Sequence, residues 1–315
     1  MSELSSLVSE YLAFRAARGF QPSRKLERLL NQFADALPPG RFDGRLFTQA
    51  QALAWAHSPA GAAPAWLAYR LSAVRQFAVY LSGCGLPVGV PGTRQGPGGS
   101  RRATPYLFTD ADVQALMGVT DQLFTPLRAA TMKTLAGVLA VTGMRISEVL
   151  QLRVGDLDLD HGVVLIANAK FGRQRLVQLH PSSCRAVAGY LRLPVRHRLG
   201  VAPERPVFVT SKGSAVHERT AHQALHQMIK HAGLARRAGA RPRPHDLRHT
   251  FATQSMIDAY RSGRDPARTL TLLSVWLGHS NPADTYWYLQ AAPEVAALAA
   301  VLLEPDTDRR GGGRS

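Results

Sequence analysis

The chain has 315 residues, of which 45% are hydrophobic, and a formal net charge of +16 at pH 7. The length favours two domains, and the hydrophobic fraction is ordinary for a globular protein. The charge surplus indicates a polyanionic partner, most simply the phosphates of nucleic acid. No apolar run has the length of a membrane span and the N-terminus has no signal-peptide pattern, so we expect no membrane association. Two isolated cysteines without metal-ligand spacing fit a reducing cytoplasm.

Residues 1–90 carry four helix-like patterns and are predicted to form a small all-helical domain. Apolar residues fall on one helical face in 4–12 and again in 26–37. A shorter pattern follows Thr48 and has Leu53 and Trp55 as apolar anchors. The last one opens at Pro64, a favourable first-turn residue, and closes before Gly83.

The segment 91–105, PGTRQGPGGSRRATP, separates this domain from the rest of the chain. It contains four glycines, three prolines and three arginines, and it has no large apolar residue. Such a composition cannot bury apolar surface, and it predicts a flexible basic linker.

A second domain is predicted over 106–302, mostly helical with a small β-sheet. Thr109 to Asp112 resembles a capping box, and a helix starting at Thr125-Pro126 runs to Gly143. The alternating, β-branched stretch 162–179 predicts a hairpin around 171–173, and 207–210 predicts one more short strand. The patterns are helical again from Ala221, and 303–315 is expected to be a disordered tail.

The positive charge of the second domain is concentrated in one segment. Residues 192–243 contain eleven Lys and Arg against two acids, Glu204 and Glu218. This local excess predicts that the segment supplies the basic face of the domain.

Two arginines are candidates for neutralising a phosphate. A guanidinium group never loses its charge at physiological pH and donates two parallel hydrogen bonds to phosphate oxygens. Arg145 lies in TGMRISEVL at the start of a short helix, and Glu148 is three residues later, where it could orient the arginine. Taken alone, this pair is more typical of a solvated ion pair on a helix surface. Arg248 lies in PHDLRHTFATQ, three residues after His245, so that both can face the same phosphate.

The remaining candidates have simpler explanations when each is considered alone. His245 and His249 have the spacing of a metal-binding pair, but no acid or cysteine stands at a fitting third position, so we expect no metal and a supporting role for His249. His279 follows a predicted helix-ending glycine, and Lys170 lies near the hairpin tip. Tyr286 and Tyr288 are both possible nucleophiles, although aromatic residues at such positions are usually core.

The ordered set of these segments resembles the tyrosine recombinase family, also called the phage integrase family. TGMRISEV is similar to its first arginine box, AKFGRQRLVQL to its lysine hairpin, HDLRH to its His-x-x-Arg box, and LGHSNPADTYWY to its Gly-His to tyrosine box. The family spacing between the Gly-His histidine and the nucleophile selects Tyr288 over Tyr286. The resemblance covers 106–302 and implies a helical SAM-like core-binding domain followed by an α/β catalytic domain.

The resemblance implies a complete reaction. Tyr288 would attack a scissile phosphate and form a 3′-phosphotyrosine, while Arg145, Arg248 and His279 stabilise the developing charge. Lys170 would protonate the leaving 5′-oxygen, and His245 would assist proton movement. The implied partner is double-stranded DNA with specific recombination sites, which the protein would bind as a clamp. The resemblance also implies a tetramer, in which the apolar helix near 294–303 docks on a neighbouring protomer. A second recombinase or an accessory DNA-bending protein could take part, and neither cofactor nor ATP is implied.

Two alternatives remain open at this stage. A type IB topoisomerase would use the same chemistry to relax one duplex, and an idle accessory protein would only bind DNA. The small helical N-terminal domain disfavours a topoisomerase. All catalytic positions carry a suitable residue, which disfavours a protein that has lost its catalytic activity. The polar stretch 258–272 is longer than the family's minimal form and resembles transposon- or integron-like members. It therefore leaves integration, excision, dimer resolution and transposition as open roles.

Overall fold

The computed structural model describes residues 3–20, 22–38, 40, 43–92, 104–167, 174–237, 239–278, 285 and 297. The chain divides into two compact units, Met1–Arg102 and Ala103–Ser315, and the division falls inside the basic segment 91–105. Across the described ranges, no helix combines the length and the apolar character needed to cross a membrane.

The described residues of the first unit form four helices, as their apolar patterns predict. Its core contains Val8 of the first helix, Leu30 and Phe33 of the second, and Phe77 and Leu81 of the fourth, each fully buried. The helices are α1 (Glu3–Ala17), α2 (Arg24–Ala36), α3 (Gln49–His57) and α4 (Pro64–Gly83).

The buried face of α3 differs from the prediction. Its buried residues are Ala52 and Ala56, whereas Leu53 and Trp55 are only half-buried. The small alanine side chains let α3 approach α4 closely. The Trp55 ring instead lies under the guanidinium of Arg70, whose Cζ is 3.6 Å from the ring centroid. Arg70 also donates to the Trp55 carbonyl oxygen at 2.6 Å.

The second unit is mostly helical. Its helices are α5 (Asp110–Gly118), α6 (Thr120–Leu123), α7 (Pro126–Thr142), α8 (Ile146–Gln151), α9 (Pro181–Arg192), α10 (Pro194–His197), α11 (Glu218–His231), α12 (Asp246–Arg261) and α13 (Pro266–Leu277). The predicted capping box of α5 is confirmed, because Thr109 and Asp112 bond to each other's backbone N–H. α7 is the central helix, since it contacts α5, α6, α9 and α12.

Within the described ranges, the sheet has three antiparallel strands in the order β1 (Leu157–Asp158), β2 (Val163–Ile166) and β3 (Arg175–Gln178). β2 and β3 form the predicted hairpin, with Val164 opposite Val177. The strand predicted at 207–210 is wrong. This stretch makes one isolated bridge, between Val209 and Ala215, because its backbone hydrogen bonds go to separate neighbours, such as the one from the Val207 amide to the Leu152 carbonyl oxygen, instead of following one partner strand.

A small apolar cluster joins the last two described helices. Met256 and Ile257 of α12 pack against Leu273 and Leu277 of α13, and all four are buried. The indole of Trp276 donates to the Thr142 carbonyl oxygen at 2.8 Å, which ties the C-terminal end of α13 to that of α7. The fold thus brings two helix ends together, and the candidate site lies where they meet.

Candidate functional site

Arg145 is placed by the end of α7. Gly143 closes that helix with a left-handed backbone, φ +62°, and a Cβ at this position would lie 2.5 Å from the Phe251 ring, so glycine is required on both grounds. The chain then turns into α8, for which Arg145 is the N-cap residue. Its side chain is 31% exposed, so it can be reached from solvent.

Glu148 holds the backbone and the side chain of Arg145 together. The Arg145 amide donates to Glu148 Oε2, and its Nη1 donates to Oε1, both at 2.9 Å. The Glu148 side chain is only 5% exposed. The pair is therefore partly buried at a helix N-terminus, and it is not the solvated surface pair that its spacing alone would suggest.

Arg248 lies on the first turns of α12 and is buried, with 3% exposure. Nη1 donates to the Gly143 carbonyl oxygen at 2.8 Å, and Nη2 donates to the Leu277 carbonyl oxygen at 2.7 Å. One guanidinium thus bridges the C-terminal ends of α7 and α13. Carbonyl groups at the C-terminal end of a helix have no partner within their own helix, so the arginine supplies their hydrogen bonds. Their partial negative charge in turn stabilises the guanidinium.

The C-terminal end of α13 collects two further arginines. Arg145 Nη1 approaches the Leu277 carbonyl oxygen at 3.4 Å, and Nη2 approaches that of Gly278 at 3.3 Å. Arg175, at the start of β3, donates from Nε to the Trp276 carbonyl oxygen at 2.7 Å. Gly278 caps the helix in a left-handed conformation, as the sequence predicts, and the next residue is His279.

Three residues of this arrangement, Arg175, Arg243 and Asp246, were missed by the sequence analysis. Arg175 binds the Glu148 carboxylate with both terminal nitrogens, at 3.1 and 2.7 Å. Asp246, fully buried in the first turn of α12, accepts two bonds from the Arg243 side chain and one from its amide. A carboxylate three residues after an arginine is a signal for the second pair, but no pattern in the sequence connects Arg175 to Glu148.

His245 precedes α12 and faces the arginines. The residue is exposed to solvent, yet the protein atoms around the ring partly desolvate it. Desolvation, followed by the positive charge of Arg248, lowers the pKa of His245 below its ordinary value, with smaller contributions from Arg145 and Arg243. His249 stands next to it, with ring centroids 4.8 Å apart and the rings at 89°.

The structure therefore brings together five of the candidate or newly found residues, Arg145, Glu148, Arg175, His245 and Arg248. Lys170, His279, Tyr286 and Tyr288 lie outside the described residues, as do the hairpin tip, the tail and, apart from residue 297, the helix predicted at 294–303.

The site carries a surplus of positive charge. Four arginines (145, 175, 243 and 248) face two carboxylates, Glu148 and Asp246, which leaves two positive charges more than negative ones. Such a surplus beside helix ends is suited to a phosphodiester whose negative charge increases during displacement. Among the described residues, no group of three or more His, Cys, Asp or Glu is arranged to hold a metal ion.

Comparison with known proteins assigns the chain to a family. The model of the phage integrase family matches residues 107–294. A putative integrase/recombinase of Sinorhizobium fredii, y4rB, is 35% identical over 310 residues, which cover 96% of this chain and 98% of that protein. The tyrosine recombinase XerC of Pseudomonas putida is 31% identical over 229 residues, 72% of this chain and 70% of that protein. The chain belongs to the phage integrase family of tyrosine recombinases.

The fold agrees with this assignment. The crystal structure of the site-specific recombinase XerH, bound to its palindromic difH substrate after cleavage, has a TM-score of 0.67 with 17% identity and covers 96% of each chain. The two-domain architecture predicted from the sequence is confirmed, and the family membership establishes site-specific DNA recombination as the function.

Proposed function

We propose that the protein recombines DNA through a covalent 3′-phosphotyrosine formed by Tyr288. The observation that supports this most directly is the convergence of Arg145 and Arg248 at the end of α13, one residue before His279. That arrangement gathers positive charge next to the segment that carries the nucleophile.

In the proposed reaction, the Tyr288 hydroxyl oxygen attacks the scissile phosphorus and the bond to the 5′-oxygen breaks. The phenol proton leaves towards His245, whose lowered pKa keeps it unprotonated and able to accept. Lys170 gives a proton to the departing 5′-oxygen, and the 5′-hydroxyl of another strand later attacks the phosphotyrosine and releases Tyr288. The covalent bond conserves the phosphodiester energy, so the reaction requires no ATP.

The arginines would divide the electrostatic work. Arg145 is open to solvent and can donate directly to non-bridging oxygens of the phosphate. Arg248 is buried, so it would stabilise the phosphate through its charge without direct contact, and it holds the ends of α7 and α13 together. His279 would donate to the same oxygens. Glu148 orients Arg145, and His249 supports the His245 ring. The charge is supplied by fixed side chains, so we also propose that cleavage requires no metal ion.

The assembly follows from the reaction. Residues 1–90 would bind duplex DNA as a core-binding domain and residues 106–302 as a catalytic domain, and the basic linker 91–105 would contact the DNA backbone. Exchange between two sites would use four protomers, with 294–303 docking on a neighbouring copy and a second recombinase or DNA-bending protein as a further partner. The protein would act in the cytoplasm, where its DNA substrate lies.

The test begins with finding the DNA site. The purified protein is incubated with fragments of its own genome in EDTA, denatured, and the DNA that remains attached is sequenced. A nicked substrate built from the recovered site should accumulate a covalent adduct, and two intact sites should exchange flanks. Relaxation of supercoils without exchange would favour a topoisomerase. DNA binding without an adduct, with and without Mg²⁺, would contradict tyrosine catalysis.

A further inference from the structure

Arg175 occupies a position where a strand normally carries an apolar residue. Side chains alternate along a strand, so Arg175 shares a face with Val177, which is fully buried. The Arg175 side chain is itself only 9% exposed. A charge in such a place costs free energy unless its partners compensate, so its contacts indicate what it is for.

The contacts of Arg175 all lead to the candidate site. Two nitrogens hold the Glu148 carboxylate, at 3.1 and 2.7 Å, and the third donates to the Trp276 carbonyl oxygen at 2.7 Å. Glu148 in turn holds Arg145. A single planar guanidinium therefore connects β3, α8 and the C-terminal end of α13.

Arg175 also limits the backbone at Gly278. A Cβ added to Gly278 would lie 2.9 Å from Arg175 Nη1 and 3.1 Å from its Cζ, and Gly278 has φ +66°. The guanidinium thus lies directly against the last turn before His279, which fixes how that turn approaches Arg145.

We propose that Arg175 is a positioning residue for the recombination reaction, which holds Arg145 through Glu148 and holds the turn at Gly278 against it. This inference rests on the proposed function, because it assumes that Arg145 stabilises the scissile phosphate. Arg175 makes no contact with DNA in this role, and it acts through the two groups that it fixes.

The charge balance at Glu148 supports the same role. Burial would raise the pKa of Glu148, but the Arg175 bonds and the Arg145 amide outweigh burial and lower it. Glu148 is therefore ionised and shared between two arginines. Without Arg175, Glu148 would have Arg145 as its one side-chain partner among these contacts, and it would hold that arginine more closely to itself and further from a phosphate.

The test compares Arg175→Lys with wild-type protein on the nicked substrate. Lysine keeps a positive charge and most of the length, but it cannot bind a carboxylate with two nitrogens and a carbonyl with a third. We expect adduct formation at saturating DNA to slow by about 100-fold, since small misplacements of catalytic groups have effects of that size. The DNA dissociation constant should stay within about 2-fold, because binding depends on many phosphate contacts.

A second substrate separates positioning from general damage to the fold. In a methylphosphonate, a methyl group replaces one non-bridging oxygen of the scissile phosphate and removes its charge. If Arg175 acts by placing the Arg145 charge, the rates of adduct formation by wild-type protein and Arg175→Lys should differ by less than about 10-fold on this substrate. The reason is that the charge with which Arg145 interacts has been removed from the phosphate, so its correct placement matters less. An equal reduction on both substrates would show a structural role and overturn the proposal.

Arg237→Lys is the matched control. Arg237 also binds a carboxylate with two nitrogens, that of Asp112 at 2.8 and 3.1 Å, in the same unit. Lysine preserves the positive charge that residue 237 contributes to the basic segment, so the cleavage rate of this variant at saturating DNA should equal that of wild-type protein. Wild-type rates for Arg175→Lys would overturn the positioning role while leaving the proposed function intact, whereas absence of an adduct with wild-type protein would contradict the proposed function itself. If Arg175→Lys were unfolded, Glu148→Gln would give the same substrate comparison from the other partner.

Discussion

Arg145 and Arg248 donate to the same backbone atom, the carbonyl oxygen of Leu277, at 3.4 and 2.7 Å. Two guanidinium groups repel each other, and here the carbonyl end of α13 offsets the repulsion with its partial negative charge. Their proximity is therefore present before any phosphate binds. Such preorganisation removes part of the reorganisation that would otherwise accompany the reaction.

The first prediction concerns the nucleophile. Tyr288→Phe removes one oxygen and preserves the ring, so DNA binding should persist while the covalent adduct on the nicked substrate disappears. Tyr286→Phe is the matched control and should still form the adduct. The measurement is a denaturing gel of labelled DNA. An adduct lost in Tyr286→Phe and kept in Tyr288→Phe would reverse the assignment, and an adduct kept in both would contradict it.

The second prediction contrasts the two arginines in stability. Arg248→Ala leaves the carbonyl groups of Gly143 and Leu277 without this buried donor, at a cost of about 1–3 kcal/mol each. Arg145→Ala removes a partly exposed side chain, and Glu148 keeps Arg175, so the loss should be about 1 kcal/mol or less.

Thermal unfolding followed by circular dichroism measures this contrast, and Arg248→Ala should show the clearly lower Tm. Both variants should form the adduct far more slowly than wild-type protein. Equal Tm values for the two variants would show that the buried bonds of Arg248 contribute little to the fold.

The third prediction concerns salt. Each phosphate contact contributes about one unit to the slope of log K against log salt, so DNA affinity should fall steeply between low and physiological salt. Arg236→Gln, within the basic segment 192–243, should reduce the slope by about one unit. Arg185→Gln, an exposed arginine outside that segment, is the control and should preserve the slope. A wild-type slope near zero would exclude phosphate contacts as the basis of binding.

The fourth prediction concerns His245 in the free protein. Desolvation and the charge of Arg248 lower its pKa below the ordinary 6.5, so more than half of the molecules should carry a neutral imidazole at pH 6.5. An unfolded chain would bind this proton more readily, and the effect on stability is therefore a loss as pH falls below 6.5. Histidine NMR titration, with His245→Gln to assign the signal, measures the value. Titration at or above pH 6.5 would contradict the crowded, positive surroundings described for the ring.

The fifth prediction concerns acid stability. The hydrogen bonds from Arg237 lower the pKa of Asp112 from 3.8 to about 2, against the opposing effect of desolvation. The pair therefore stabilises the fold above pH 3.8, and this contribution is lost as pH falls through about 2.

Because Arg237 is 52% exposed, solvent screening should reduce the contribution to about 1 kcal/mol. Arg237→Ala should lower the free energy of unfolding by about this amount at pH 7 and by less near pH 2, as measured by urea denaturation. The same loss at both pH values would show that the effect comes from packing on Tyr106 instead of charge.

Much of the site could be predicted because its signals are local. Gly143 and Gly278 end their helices in left-handed conformations, and the turn after Gly143 places Arg145 two residues later. The Thr109 capping box and the hairpin of β2 and β3 likewise depend on neighbouring residues. The burial of single residues was less predictable, as α3 shows. Its buried residues are Ala52 and Ala56, and which face of a helix is buried depends on the position of the neighbouring helix.

The sequence by itself determined the order of the chemical segments, the helix ends that present them and the charge that points to DNA. Only the tertiary structure decided that Arg175 reaches Glu148 from 27 residues away, and that Arg145 and Arg248 reach the end of α13 from 132 and 29 residues away. A guanidinium on a strand has no periodicity or spacing that identifies its partner. Its partner is set by how β3, α8 and α13 pack, which depends on the whole core of the second unit.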